Sequence, residues 1–373
     1  MVRPIYDPLF LDTKDGIEYY LADSLEISED GLTYKIHLNE DANWSDGEPV
    51  TVQDILFSFN YAGRSSGGKS SYNTINGKPV QFNEIDEKTL EITLPEPYAS
   101  YVTTLSNRVL VMPSHAFDND PSKVDDSGYF NEIDMATSGA YTVSEINDDS
   151  IVYVARDDYY RGDPSVKKIV LRNTGSGSSR QVAFENGEIS YMRVTTKEEL
   201  EKYSDSDEYN TYSITESRLN YLQVNPHGPN KDVLTDEGRK ALFLALDGQE
   251  IVDAAYGSDE LAAPANSLLT PDQVDYNPDC AGYTQDLDKA KELAESSGLS
   301  GKTLTYIYNA DRANMEAVAT VIQQQLAKIG VNLSIEGLDS TSFFQRFFAI
   351  MYNSGQENTW DLGTNGWDSE RGT

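Results

Sequence analysis

Residues 303–335 carry the pattern that most restricts what this chain can become. Thr303 to Tyr308 reads as a strand. Ala313 to Ile329 reads as a helix, with Met315, Val318, Ile322, Leu326 and Ile329 along one face and Gly330 in the stop position. Val331, Leu333 and Ile335 then alternate as a second strand. Strand, helix and strand in that order form a βαβ unit, so part of the fold is α/β.

Other segments supply both kinds of signal. Residues 1–24 read as an extended segment and turn. Leu32, Tyr34, Ile36 and Leu38 alternate with Thr33, Lys35 and His37, the period of a half-buried strand. Asp46-Gly47-Glu48-Pro49 is a turn, and Thr51 with Asp54 three residues later opens a helix faced by Ile55, Leu56 and Phe59. Thr89 to Leu94 is a strand that stops at Pro95. A hairpin runs from Tyr141 through a turn at Asn147-Asp148-Asp149 to Ala155, and Ser165 to Arg172 is a further strand. Gln181 to Gly187 is a short helix. Just before it, Gly175 to Ser179 has the composition of a flexible linker. The last third is more helical, with helices over Thr235–Tyr256 and Leu287–Ser297 closed by Gly257 and Gly298. A chain of 373 residues is too long for one compact core and implies two or three domains.

Charge narrows the partners. Acidic residues number 62 against 29 Lys plus Arg, for a formal charge of −33. Such a surface repels phosphate backbones, which argues against a nucleic-acid partner, and it repels anionic lipid headgroups equally. It suits the outside medium or high salt. Cys280 is the only cysteine, so no intrachain disulfide can form, and its loop-like stretch holds no His partner. No run approaches the ~20 apolar residues of a membrane span. Met1 to Tyr6 lacks a charged head followed by an apolar stretch, so the protein is either cytosolic or separated from its leader.

Most chemical motifs dissolve on inspection. Gly63, Gly68, Lys69 and Ser70 match the phosphate-loop pattern, but that chemistry needs a strand before the loop and a helix after it. Here a helix precedes, and Asn73, Asn76, Gly77 and Pro79 follow, so the segment reads as a Gly/Ser loop. His37, His115 and His227 share no metal-ligand spacing. The stretch from Asp41 to Gly47 places its glycine one position late for a calcium loop, and Val52 stands where a bidentate acid belongs. Paired carboxylates could serve a glycosidase, although with 62 acids accidental pairs abound. No cofactor is indicated. The 24 Tyr and 3 Trp suit a ligand cleft or a core equally.

Six blocks in order point elsewhere. Leu21 to Tyr34 leads to Trp44-Ser45-Asp46-Gly47-Glu48-Pro49-Val50-Thr51 with Asp54 and Phe57. Ser138-Gly139-Ala140-Tyr141 is followed by Arg156, Tyr159-Tyr160 and Gly162. Asn186-Gly187-Glu188-Ile189 comes next, then Tyr221 to Asn225 with Arg239-Lys240-Ala241-Leu242 and Ala245-Leu246-Asp247. Tyr283 with Asp288 to Leu293, and Gly366-Trp367 after Asp361, complete the series. Together they resemble the bacterial extracellular solute-binding proteins of the oligopeptide, dipeptide and nickel class, family 5, which serve ABC importers. Ser138, Ala140 and Gly248 depart from the family's usual Gly, Pro and Arg.

The resemblance implies an α/β, two-lobed periplasmic-binding-protein-like fold with an inserted α+β domain, truncated at both ends relative to the family. It implies a first lobe at 1–24 and 137–225, an inserted domain at 25–136 and an incomplete second lobe at 226–373. It further implies a monomer without enzymatic activity, on the extracellular face of the membrane as a lipid-anchored protein or in the periplasm. A short peptide would be captured between the lobes and delivered to the importer's permease subunits. By the same alignment Trp367 is the pocket aromatic and Trp367, Asp368, Ser369 and Glu370 bind the ligand. Glu370 stands in the place of an acid that pairs with the peptide's amino terminus, unless it is simply an exposed terminal residue. A nickel chelate, a sugar or an opine as ligand, a peptide-signal receptor, and a hydrolase with acidic catalytic residues stay open.

Overall fold

The computed structural model describes residues 4–13, 16–64, 72–107, 109–175, 177–214, 216–271, 276–352 and 358–368. The chain divides into two compact units, the first ending at Thr174 and the second starting at Gly175.

The first unit opens with a hairpin of β1 (Phe10–Thr13) and β2 (Gly16–Tyr19), where sequence patterning suggests only an extended segment and turn. Then come β3 (Ala22–Ile27), β4 (Thr33–Leu38), α1 (Val52–Arg64), a short hairpin of β5 (Thr74–Ile75) and β6 (Lys78–Pro79), β7 (Gln81–Asp86), β8 (Thr89–Thr93) and α2 (Tyr101–Asn107). Strands β9 (Tyr141–Ile146), β10 (Ser150–Ala155) and β11 (Lys168–Arg172) follow. Two antiparallel sheets result, in the orders β3-β4-β8-β7 and β11-β10-β9. The alternation in β4 does what its period requires: Tyr34, Ile36 and Leu38 are buried while Lys35 faces solvent. These side chains join Leu90, Ile92, Ile55, Phe59 and Tyr101, together with Val143 and Tyr153 of the second sheet, in one core. Gly63 of the phosphate-loop lookalike lies inside α1, and the β5–β6 hairpin follows the loop. Gly68, Lys69 and Ser70 lie outside the described residues.

The second unit contains α3 (Gly177–Glu185), α4 (Lys197–Ser204), β12 (Arg218–Val224), α5 (Asp236–Ala245), α6 (Gly248–Ala255), α7 (Leu287–Ser296), β13 (Thr303–Asn309), α8 (Met315–Ala327), β14 (Asn332–Leu338), α9 (Ser340–Tyr352) and β15 (Leu362–Asp368). Its sheet has the order β12-β15-β13-β14. The βαβ unit is present: β13 and β14 run parallel from Thr303↔Asn332 to Asn309↔Leu338, and Gly330 ends the linking helix segment at φ +77°. β15 is parallel to β13, and β12 is antiparallel to β15. One face of the sheet packs on α5, α7 and α8 through Leu304, Tyr306, Leu333 and Leu362. The other packs on α9, where Ile307 meets Phe343, Phe347 and Trp360.

Two expectations change. The single helix over Thr235–Tyr256 is two, α5 and α6, because Asp247 caps a new helix by accepting from the N–H groups of Gln249 and Glu250 at 2.9 and 3.1 Å. The fully buried Gln325 of α8 holds the break open, accepting from the Asp247 N–H at 3.0 Å and donating to its carbonyl at 3.2 Å. The Gly/Ser stretch is no linker throughout, since Gly177 to Ser179 form the first turn of α3. The boundary between the two compact units falls between Thr174 and Gly175. β12 pairs with β15 from Arg218 to Val224 and so shares a sheet with the later strands.

Candidate functional site

The sequence blocks in the first unit build scaffold. Asp54 is 2% exposed, and its carboxylate accepts from Trp44 Nε1 (3.2 Å), the Thr51 N–H (2.9 Å), the Ser114 N–H (2.8 Å) and Ser114 Oγ (2.7 Å). Every acceptor direction of the carboxylate is thereby used, which is the condition for keeping a charge inside a core. Arg156 does the same for cations. Its buried guanidinium pairs with both Asp158 oxygens at 3.0 Å and donates to the carbonyls of Thr137 (2.8 Å) and Asn43 (3.2 Å), joining the first block to the second. That guanidinium is also the first cause holding the Asp158 carboxyl below its usual range. Lys88 turns its ammonium onto the carbonyls of Asn39 (3.1 Å), Glu40 (3.4 Å) and Val50 (2.9 Å), and burial lowers its pKa. Asp54, Arg156 and Lys88 thus turn their charges onto the protein itself.

The second unit's sheet is different at one edge. Connections leave β13 on one face through α8 to β14, and return from β14 on the other face through α9 to β15. Because β15 lies on the opposite side of β13 from β14, the order reverses between β13 and β15. In an open α/β sheet, the crevice beyond the carboxyl ends of strands at such a reversal is where ligands bind. The strands also separate there, since β13 and β15 pair only at Tyr306↔Leu362 and Ile307↔Gly363.

Alternation assigns the side chains at that edge. Leu362 and Thr364 face α8, where the Tyr306 hydroxyl bonds Thr364 Oγ1. Gly363, Asn365 and Trp367 therefore face α9. A Cβ on Gly363 would stand 2.9 Å from the Phe347 ring, so only glycine admits the close packing of helix on strand. Beyond it, Arg312 donates to Asn365 Oδ1 at 3.3 Å and lies over the Phe344 ring at 5.5 Å. Tyr221, register partner of Asn365, packs on the α9 cluster with Phe344 and Phe348. Asn309 ends β13, nearly buried, and donates to Ser340 Oγ at 3.1 Å at the start of α9. The edge thus offers aromatic faces, amides and the guanidinium groups of Arg312 and Arg218, the latter lying against Gly366. Among the described residues no group of three or more His, Cys, Asp or Glu is placed to hold a metal ion.

Trp367 belongs to this edge and is 58% exposed, whereas the other two tryptophans, Trp44 and Trp360, are buried. Asp368 is the last residue of β15, in register with Arg218. Ser369 and Glu370 lie outside the described residues. Asp361, just before the strand, is fully buried and holds the strand's entry. It accepts from the N–H groups of Thr305 (2.9 Å) and Asn230 (2.8 Å) and from Asn230 Nδ2 (2.8 Å). Sequence reasoning passed over Arg312, Asn365 and Phe344. The reversal of strand order could have pointed to them had β15 been recognised as a strand.

Comparison with known proteins identifies the family. The family described as bacterial extracellular solute-binding proteins, family 5 Middle, matches residues 16–371. The dipeptide-binding protein of Escherichia coli K12 is 26% identical over 351 residues, which is 87% of this chain and 64% of that protein. The solved ABC transporter substrate-binding protein CtaP of Listeria monocytogenes superposes with a TM-score of 0.78 at 30% identity, covering 98% of this chain and 72% of CtaP. The oligopeptide-binding protein AppA of Bacillus subtilis, solved with a nonapeptide, has the same fold at a TM-score of 0.83 and 18% identity, over 99% of this chain and 74% of AppA. The chain spans 65% of the length of a relative from Brucella ovis. Among the described residues no helix is long and apolar enough to cross a membrane. With a family match across nearly its whole length, the chain belongs to family 5 of the bacterial extracellular solute-binding proteins.

Proposed function

We propose that this protein captures short peptides outside the cytoplasmic membrane and delivers them to the permease of an ABC importer, binding them without turnover. Trp367 carries this reading: a large aromatic left 58% exposed at the strand reversal of an α/β sheet. The names of the relatives supply the ligand class, since they include dipeptide- and oligopeptide-binding proteins.

In this proposal the peptide's main chain pairs with backbone at the end of β15, and its side chains rest in wet, roomy surroundings, so affinity comes without sequence preference. Trp367 with Asp368, Ser369 and Glu370 forms one wall, and Glu370 meets the peptide ammonium. Arg312 offers a guanidinium to a carboxylate. Monomeric state, a lipid anchor or periplasmic residence, a first lobe at 1–24 and 137–225, an inserted domain at 25–136 and a second lobe at 226–373 belong to the same proposal.

Calorimetry with a panel of di- to penta-peptides, a sugar and a nickel chelate tests it. Several unrelated peptides should bind, and Trp367→Ala should weaken each roughly tenfold, about 1.4 kcal/mol. Heat from the sugar or the chelate alone would end the peptide reading. Peptide binding untouched by Trp367→Ala would place the site elsewhere.

A further inference from the structure

We infer that the folded state of this protein is adapted to concentrated monovalent salt and reaches full stability only there. The formal charge of −33 leaves open whether the acids are buried, paired or facing solvent. Among the described residues only Asp7, Asp54, Glu199 and Asp361 are buried carboxylates, and each is hydrogen-bonded. The other described acids reach the surface, often side by side, as in the exposed pairs Asp125-Asp126, Asp148-Asp149 and Asp157-Asp158.

Cations offset only part of them, in surface ion pairs such as Lys78–Glu96, Lys123–Asp118 and Lys289–Glu292, since 29 Lys plus Arg stand against 62 acids. Arg156 is spent inside the first unit, and Lys88 is spent on backbone carbonyls. Across the β3-β4-β8 sheet a single lysine serves two acids, with Glu26 and Glu91 in register on either side of Lys35. In the first turns of α4 and α5, Arg180 pairs with Glu199 and Arg239 with Asp236, and Glu198 and Glu237 add a further acid to each turn. Folding gathers these charges onto one surface, whereas the unfolded chain spreads them, so their repulsion works against the fold. Added salt shortens the reach of that repulsion from about 10 Å at 0.1 M to about 3 Å at 1 M. Carboxylate excess in both units means that neither escapes the effect.

Thermal unfolding of the chain at pH 7, from 0.1 to 2 M potassium chloride, tests the inference. A second protein carries Glu26→Gln, Glu84→Gln, Glu145→Gln, Glu260→Gln and Glu295→Gln, all exposed positions and none of them a residue of the ligand edge. The unaltered protein should gain about 10 °C or more in melting temperature, equivalent to several increments of the usual few degrees per kcal/mol. The five-glutamine protein should start higher at 0.1 M and gain less. A melting temperature that stays level across the salt range overturns the inference. So does a five-glutamine protein that starts at the same temperature and climbs as steeply, since the gain would then be unrelated to charge.

Discussion

Asp54 in the first unit and the end of β15 in the second each lie in a sequence block shared with the family, yet they use their residues in opposite ways. Around Asp54 a tryptophan is wholly buried and its N–H is committed to the carboxylate. At the end of β15 a tryptophan stands 58% exposed on a strand that has outrun its parallel neighbour. A carboxylate held by four donors in a core tolerates few substitutes, so packing alone accounts for Asp54. Packing alone does not call for an exposed aromatic such as Trp367. A shared block is therefore no guide to function until the partners of its side chains are known.

Breaking the first half of the comparison gives the largest effect. Asp54→Ala leaves the Trp44 indole, the Ser114 hydroxyl and two backbone N–H groups without acceptors in a dry core. A loss on the order of 3–5 kcal/mol is expected in urea unfolding of the first unit. A loss below about 1 kcal/mol would mean that water replaces the carboxylate, and that Asp54 is less essential to the scaffold than its geometry says.

Asp361→Ala puts the same question to the second unit. It removes the acceptor for Thr305 and Asn230 at the root of β15, at a cost of about 2–4 kcal/mol. Peptide binding should weaken as well, because β15 carries Trp367, although Asp361 itself is fully buried. Unchanged affinity in a destabilised protein would separate the strand's root from its tip. Trp367→Ala should do the reverse, changing stability by less than about 1 kcal/mol while weakening peptide binding. A large stability loss there would turn Trp367 into a core residue and erase the contrast.

The same contrast explains which parts of the chain could be read in advance. β4, β8, α8 and β14 announce themselves because each buries one regular face, and a buried face leaves a period in the sequence. β15 leaves none. Leu362-Gly363-Thr364-Asn365-Gly366 has no alternating apolar pattern, yet it runs through the middle of the sheet. Its glycines admit Phe347 and Arg218, and its buried Thr364 and Asn365 are satisfied by Tyr306 and Arg312, partners distant in sequence. α9 was equally silent, since its Phe343-Phe344-Gln345-Arg346-Phe347-Phe348 run is apolar on more than one side. The strand on which we propose the site is thus the one whose packing depends on tertiary partners, and the family resemblance, not periodicity, is what singles out Trp367.

The smallest expected effect sharpens the comparison through pH. Asp7 in the first unit is 5% exposed and accepts from the Tyr159 and Tyr160 hydroxyls, both at 2.8 Å. Burial raises its pKa above 3.8, with the two hydroxyls and the charges of Arg161 and Arg156 pulling the other way. Glu185 in the second unit is held down to about 2, first by Lys202, then by Tyr203 and Gln181. The signs are opposite. Glu185 contributes stability above pH 4.5, the ordinary value, and loses it as pH falls towards about 2. Asp7 contributes stability that is complete below pH 3.8 and is lost as pH rises through its raised pKa. Carboxyl NMR titration should show Asp7 protonating before Glu185 on acidification. In unfolding measurements across the same range, Glu185→Gln should flatten the acid loss of the second unit. Asp7→Asn should remove the acid gain of the first. If both carboxyls titrate at ordinary values, the Asp7 site is wetter than its geometry implies and the Lys202 contact too loose to matter, and burial would no longer distinguish the two units' acids.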